Sequence, residues 1–241
     1  MSDNRGTIQK ASNDLVLSFL SVRRAIGMLG FFLPIALILW GLAATEGIFP
    51  SISAAYYSPM REVFVGSLIA QAVFLWSYEG YRPRGAEMVS DKATARVAAV
   101  AAALVALAPT VPAGLASFDP TQDCTLLQCS LGVGLSGWLH LIAAAIYFVA
   151  FAVYCLVLFM RGESDSAEKR ASRKIYRVCG WLIVIAVALI GLLFLTGWDA
   201  RLVTLRPVFL LETVATFAFA TSWLVKGDAM RPLVRGVAAL R

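Results

Sequence analysis

From Ile26 to Thr45 the chain reads "IGMLGFFLPIALILWGLAAT", twenty residues without a charge. A bilayer core of about 30 Å demands about 20 apolar residues in a helix, and five further apolar runs follow. They are Met60 to Tyr81, Ala93 to Pro112, Val133 to Met160, Tyr176 to Gly197 and Pro207 to Val225. The chain is 59% hydrophobic and only 15% charged, whereas a soluble domain carries roughly a quarter of its residues as Asp, Glu, Lys and Arg. The expected fold class is therefore all-α: a polytopic membrane helical bundle of six transmembrane helices. Short connections make neighbouring helices antiparallel within one domain. This divides the chain into a cytoplasmic amino-terminal segment (1–25), a six-helix domain (26–225) and a basic cytoplasmic carboxyl-terminal segment (226–241).

The net charge of +6 is not a nucleic-acid signature, because the basic residues lie between apolar runs rather than on one face of a soluble domain. They report topology. Lys and Arg in short loops stay on the cytoplasmic side. The amino-terminal tail holds Arg5, Lys10, Arg23 and Arg24, and the second loop Arg82, Arg84, Lys92 and Arg96. The fourth loop carries six, among them Lys169 and Arg173, and the carboxyl tail four; the alternate side has only Arg61, Arg201 and Arg206. Both termini are thus expected in the cytoplasm. The first two dozen residues lack the apolar core and small-residue cleavage site of a secretory signal, so the first span is expected to direct insertion.

Cys124 and Cys129, in "CTLLQC", fall in the third loop, on the expected outer side. An oxidising compartment allows a bridge between them; two free thiols are the alternative. Cys155 and Cys179 lie in or beside spans and read as apolar packing. Two flanking pieces, Asp14 to Arg24 and "MRPLVRGVAALR" at the carboxyl end, set basic residues beside Leu and Val. They suit helices on an anionic inner leaflet, or they extend the adjacent spans.

The run "GVGLSG", residues 132 to 137, matches the dinucleotide fingerprint in form. That motif needs a preceding strand, and here it opens a span. Close helix packing through small residues is the better reading, as it is for the Ala-rich third span. The sequence calls for no cofactor.

A charge at bilayer centre costs about 2.5–3.5 kcal/mol on insertion scales, so ionisable groups in or at the rim of spans carry the information. Arg61 with Glu62, His140 and Glu212 qualify, and topology sets all of them in the outer third of the membrane. His140, Ala144, Tyr147, Phe151 and Tyr154 share one face of the fourth span, and Glu212, Thr216, Phe219 and Trp223 one face of the sixth. In the second span Ser67, Gln71 and Tyr78 align, yet Glu62 lies about 180° from Gln71. Pro59 suits a first helical turn and Glu62 favours the helix dipole there, so a plain water boundary accounts for Glu62 better than for Arg61.

The stretch "FPSISAAYYSPMREVFVGSL" resembles the superfamily of six-span proteins that includes the damage-regulated autophagy modulators and the lipid-remodelling factor acting after GPI attachment. The shared features are Pro50, Ile52 and Ser53 in a short first outside loop, then Pro59, Glu62 and Phe64 as the second span begins. Ala54 stands where an acidic residue often follows the Ser. This resemblance covers about the first third of the chain, and span count the rest. The segments "RKIYRVCGW" and "ETVATFAFATSWLVKG" also resemble a purely bacterial, uncharacterised membrane family. Together these resemblances imply lipid handling or membrane regulation, and a bacterial cytoplasmic membrane.

Three functions are expected. In the first, the outer ends of spans two, four and six enclose a pocket for a lipid headgroup or small polar ligand, with Arg61, Glu62, His140 and Glu212 binding it. In the second, a membrane-embedded lipid hydrolase or acyl-transfer enzyme uses His140 as base; a zinc version normally needs three protein ligands, and the chain has one His. Ser53 and Ser136 are nucleophile candidates with no partner visible at fixed spacing. In the third, a non-catalytic scaffold or regulator presents the basic fourth loop to a protein partner.

Overall fold

The computed structural model describes residues 14–44, 47–81, 89–112, 119, 122–162 and 166–240, with side chains from residue 19 onward. Among these residues every regular element is helical. Helix α1 spans Asp14–Ala43, α2 Arg61–Trp76, α3 Asp91–Leu107 and the short α4 Leu126–Leu131. Helix α5, Val133–Val153, runs on through a π turn at Tyr154–Leu158. Then come α6 (Ala167–Thr196), the single turn α7 (Trp198–Arg201), α8 (Pro207–Lys226) and α9 (Arg231–Ala239).

The boundaries have local causes. Ser90 accepts a hydrogen bond from the Ala93 amide at 3.1 Å and so caps α3, which stops just ahead of Pro109. Ser166 does the same for α6 from the Lys169 amide, at 3.2 Å, and Gly197, at φ +65°, ends that helix in the left-handed conformation. Pro207 opens α8 at a position where its missing N–H is no loss.

The structure decides between the two sequence readings of each flanking piece and shifts one further limit. Asp14 to Arg24 is continuous with the first span, so no break falls at residue 25. Much of the basic fourth loop is the first two turns of α6, which begins nine residues before Tyr176 because Ser166 caps it there. The carboxyl-terminal amphipathic piece is a separate helix, α9, packed on α6. Arg5, Lys10, Arg82 and Arg84 lie outside the described residues.

Six long helices pack in a closed ring in the order α1, α2, α3, α5, α6, α8, with α8 returning against α1. Small residues set the tightest approaches. A Cβ on Gly30 of α1 would stand 2.7 Å from the Phe219 ring of α8, and one on Gly137 would stand 2.8 Å from Val111. Gly132 and Gly134 face open space, so of the glycines in "GVGLSG" only Gly137 makes a close approach, and it meets the connection after α3 rather than a helix. Helix α3 buries Ala95, Ala98, Ala99, Ala102 and Ala106. Inside the ring, Phe151 and Phe219 stack at 4.1 Å between ring centroids, with Tyr147 and Trp223 edge-on to them and Tyr154 edge-on to Trp223. The aromatic stripes of α5 and α8 thus face each other as core.

Four helical stretches are long and apolar enough to cross a membrane: Phe19–Ala43, Val133–Leu158, Ala167–Thr196 and Val203–Lys226. Large apolar side chains point outward along them; Met28, Leu39, Trp181 and Leu192 are all more than half exposed. In water such a surface would be a penalty, and in lipid it is not. Helices α2 and α3, at 16 and 17 residues, fall short of that length. The chain is an all-α protein of the integral membrane type.

Candidate functional site

The described parts of the connections after α1, α3 and α6 meet at one end of the ring, the loop end. The described chain ends, with the described parts of the α2–α3 and α5–α6 connections, gather at the other, the termini end.

At the loop end the first connection folds as a short 3-10 turn, Ser53–Tyr57, and buried polar groups hold it from several sides. His140, 2% exposed on α5, lies with Nε2 2.8 Å from Ser53 Oγ, while its Nδ1 lies 2.6 Å from the Ala108 carbonyl. A carbonyl only accepts, so Nδ1 carries the proton and Ser53 donates to Nε2. Half-buried Glu212 on α8 accepts the Ile52 N–H at 2.6 Å, and the Phe209 N–H reaches the Pro50 carbonyl at 3.2 Å. Tyr57 donates to the Thr110 carbonyl at 2.5 Å and receives the Gln128 amide at 2.7 Å. Burial raises the Tyr57 hydroxyl above its ordinary pKa, only partly offset by the Gln128 bond. Gln128 sits in α4, which the Cys124–Cys129 disulfide closes, with a Cα separation of 5.3 Å.

His140 and Glu212 therefore converge on adjacent residues of one loop. Arg61 and Glu62 do not join them. Both are exposed at the start of α2; Arg61 lies over the Tyr56 ring at 4.5 Å, and Glu62 occupies the first helical turn. Gln71, turned away from Glu62, is buried and accepts from the Tyr147 hydroxyl. Ser53, for which fixed spacing offered no partner, has His140 across 87 positions. Ser136 donates to the Pro109 carbonyl at 3.3 Å. Among the described residues no three His, Cys, Asp or Glu side chains group to hold a metal ion.

Beside this clamp runs a groove of about 660 Å³, within the range of about 300–1,000 Å³ typical of small-molecule sites. Pro50, Ser51, Ala54 and Tyr57 of the held loop form one wall, Trp138 and Leu141 of α5 another, and Phe194 with Val203 a third. Asp199 and Arg206 are its two charged lining residues, and neither forms an ion pair with a described residue. Ser53, His140 and Glu212 stand behind the wall rather than on it.

No protein-family model, curated protein or solved structure matches this chain. The fold and the site define a class, a helical integral membrane protein with a loop-walled groove at one end.

Proposed function

We propose that the protein binds or handles a membrane phospholipid in this groove, with all six ring helices crossing the bilayer and both termini in the cytoplasm. The carrying observation is a groove whose walls are mostly apolar and whose two charges, Arg206 and Asp199, have opposite signs and no ion-pair partner among the described residues. Arg206 suits a phosphodiester, since guanidinium forks bind phosphate oxygens. Asp199 suits an amine, so a zwitterionic headgroup fits better than a purely anionic one. The basic connections put the groove in the outer leaflet. Helices α2 and α3 would span about 24–26 Å at 1.5 Å per residue, and thinning of the bilayer by a few Å accommodates this at modest cost. Lipid handling also agrees with the resemblance of the Pro50–Phe64 stretch. In this reading His140 and Glu212 are positioning residues: they fix the loop that forms the wall.

Native mass spectrometry of the delipidated protein titrated with phosphatidylethanolamine or phosphatidylglycerol tests it. Leu141→Trp, which fills the groove, and Arg206→Gln should each weaken phosphatidylethanolamine retention about tenfold, or about 1.4 kcal/mol. Asp199→Asn should narrow the preference over phosphatidylglycerol. Leu39→Trp, on an outward face, should change nothing. Equal retention by all four variants and wild type would remove the proposal.

One observation favours an enzyme as the second reading. Ser53, His140 and the Ala108 carbonyl have the order of nucleophile, base and orienting acceptor. Ser53 is only 8% exposed, so this chemistry requires the loop to move.

A further inference from the structure

The termini end holds a second cavity, about 1030 Å³, unrelated to the groove above. Its floor is Lys226, the last residue of α8. The ammonium sits among three rings, 5.4 Å from the centroid of Tyr81, 5.2 Å from that of Phe159 and 6.0 Å from that of Tyr176. Such an aromatic cage stabilises a cation, yet rings do not replace the acceptors that its N–H donors have in water. Nζ makes no hydrogen bond to a described residue.

The surrounding charges do not cancel it. Three carboxylates line the cavity, and two of them already serve the arginines of its rim. Asp228 is forked by Arg231 and Glu168 lies 3.5 Å from Arg235; Asp91, which accepts the Tyr81 amide at 2.8 Å, is the one carboxylate whose charge reaches Lys226, and it forms no salt bridge with it. Arg173, on the α6 wall two turns above its start, has only the Gly162 carbonyl for its guanidinium. A second wall is α9, which lays Val234 on the core and turns Arg231 and Arg235 to the opening. The cavity is thus fixed on three sides by packed helices and presents two cations, Lys226 and Arg173, neither of which forms a salt bridge with a described residue.

We infer that this cavity is an anion site for a phosphate group, held by Lys226 and Arg173. Phosphate supplies what the cage withholds, several acceptor oxygens on one centre, and charge-assisted bonds to guanidinium and ammonium are the strong ones. The phosphate is either a free anion or the headgroup of an anionic lipid. Basic pockets between helices on the cytoplasmic side favour the latter kind, and Lys226 lies where α8 leaves the apolar layer.

The test uses the full-length protein in detergent, with thermal stability and binding measured against inorganic phosphate and, separately, dioctanoyl phosphatidic acid. Wild type should be stabilised by at least one of them, in a dose-dependent way. If phosphatidic acid alone does so, the source is lipid; if inorganic phosphate does so too, the site takes the free anion. Arg173→Gln and Lys226→Gln should each weaken the response about tenfold, whereas Lys174→Gln, exposed on the same helix and off the cavity, should leave it intact. Lys226→Arg should retain it, separating loss of charge from loss of fold. No response to either probe in wild type, or an equal loss in Lys174→Gln, would overturn the inference.

Discussion

His140 shows how a single buried polar side chain is used here. Its two ring nitrogens join α5 to the first connection through Ser53 and to the end of α3 through the Ala108 carbonyl. Leaving a buried polar group without a partner costs about 1–3 kcal/mol. His140→Ala orphans two groups and Ser53→Ala one, so His140→Ala should lower the unfolding midpoint more. A fluorophosphonate probe applied to the same variants decides the enzymatic reading: labelling of Ser53 that vanishes in His140→Ala supports it, and no labelling of wild type dismisses it. The importance of His140 and Glu212 was legible in the sequence, because each is an ionisable group some turns inside an apolar run. Their shared target was not. Ser53 lies in a loop, where no helical period links it to a partner 87 positions away. Arg61 misled for the opposite reason: its charge sits at a span edge, but helical rotation turns it outward over Tyr56.

At the scale of elements, hydropathy located the long helices, because lipid demands uninterrupted apolar length. It could not locate ends set by polar chemistry. Ser166 extends α6 into a stretch that hydropathy reads as loop. Gly80, at φ +63°, wraps the chain after α2 so closely around Asp91 that an added Cβ would collide with the Asp91 side chain. Arg23 and Arg24, read as topology signals, also donate to the Lys226 and Gly227 carbonyls at 3.4 and 2.8 Å. They satisfy the carboxyl end of α8, where positive charge is favoured. The ring closes through the contact of α1 with α8, and Gly30 sets its spacing. Gly30→Leu should destabilise the fold by about 1–3 kcal/mol through overpacking against Phe219. Gly66→Ala, whose added Cβ meets open space, should not. Melting curves of the two variants in the same detergent check this, and equal midpoints would mean that α1 and α8 do not pack as described.

The whole molecule has two chemically different ends. The loop end is clamped by buried hydrogen bonds and a disulfide around a mostly apolar groove, whereas the termini end is basic, with Arg23 and Lys226 over aromatic rings and Arg173 lining the same cavity as Lys226. Charge distribution in the sequence made this polarity legible; the groove was not, because it is assembled from three connections distant in sequence. The most direct measurement is a cryo-electron microscopy map of the protein in nanodiscs made from its native lipid. The account predicts a lipid slab crossed by all six ring helices, with an acyl chain against Trp138 and Leu141 and its headgroup between Asp199 and Arg206. A slab that leaves α2 and α3 uncrossed, or a groove that opens away from lipid and holds none, would contradict it.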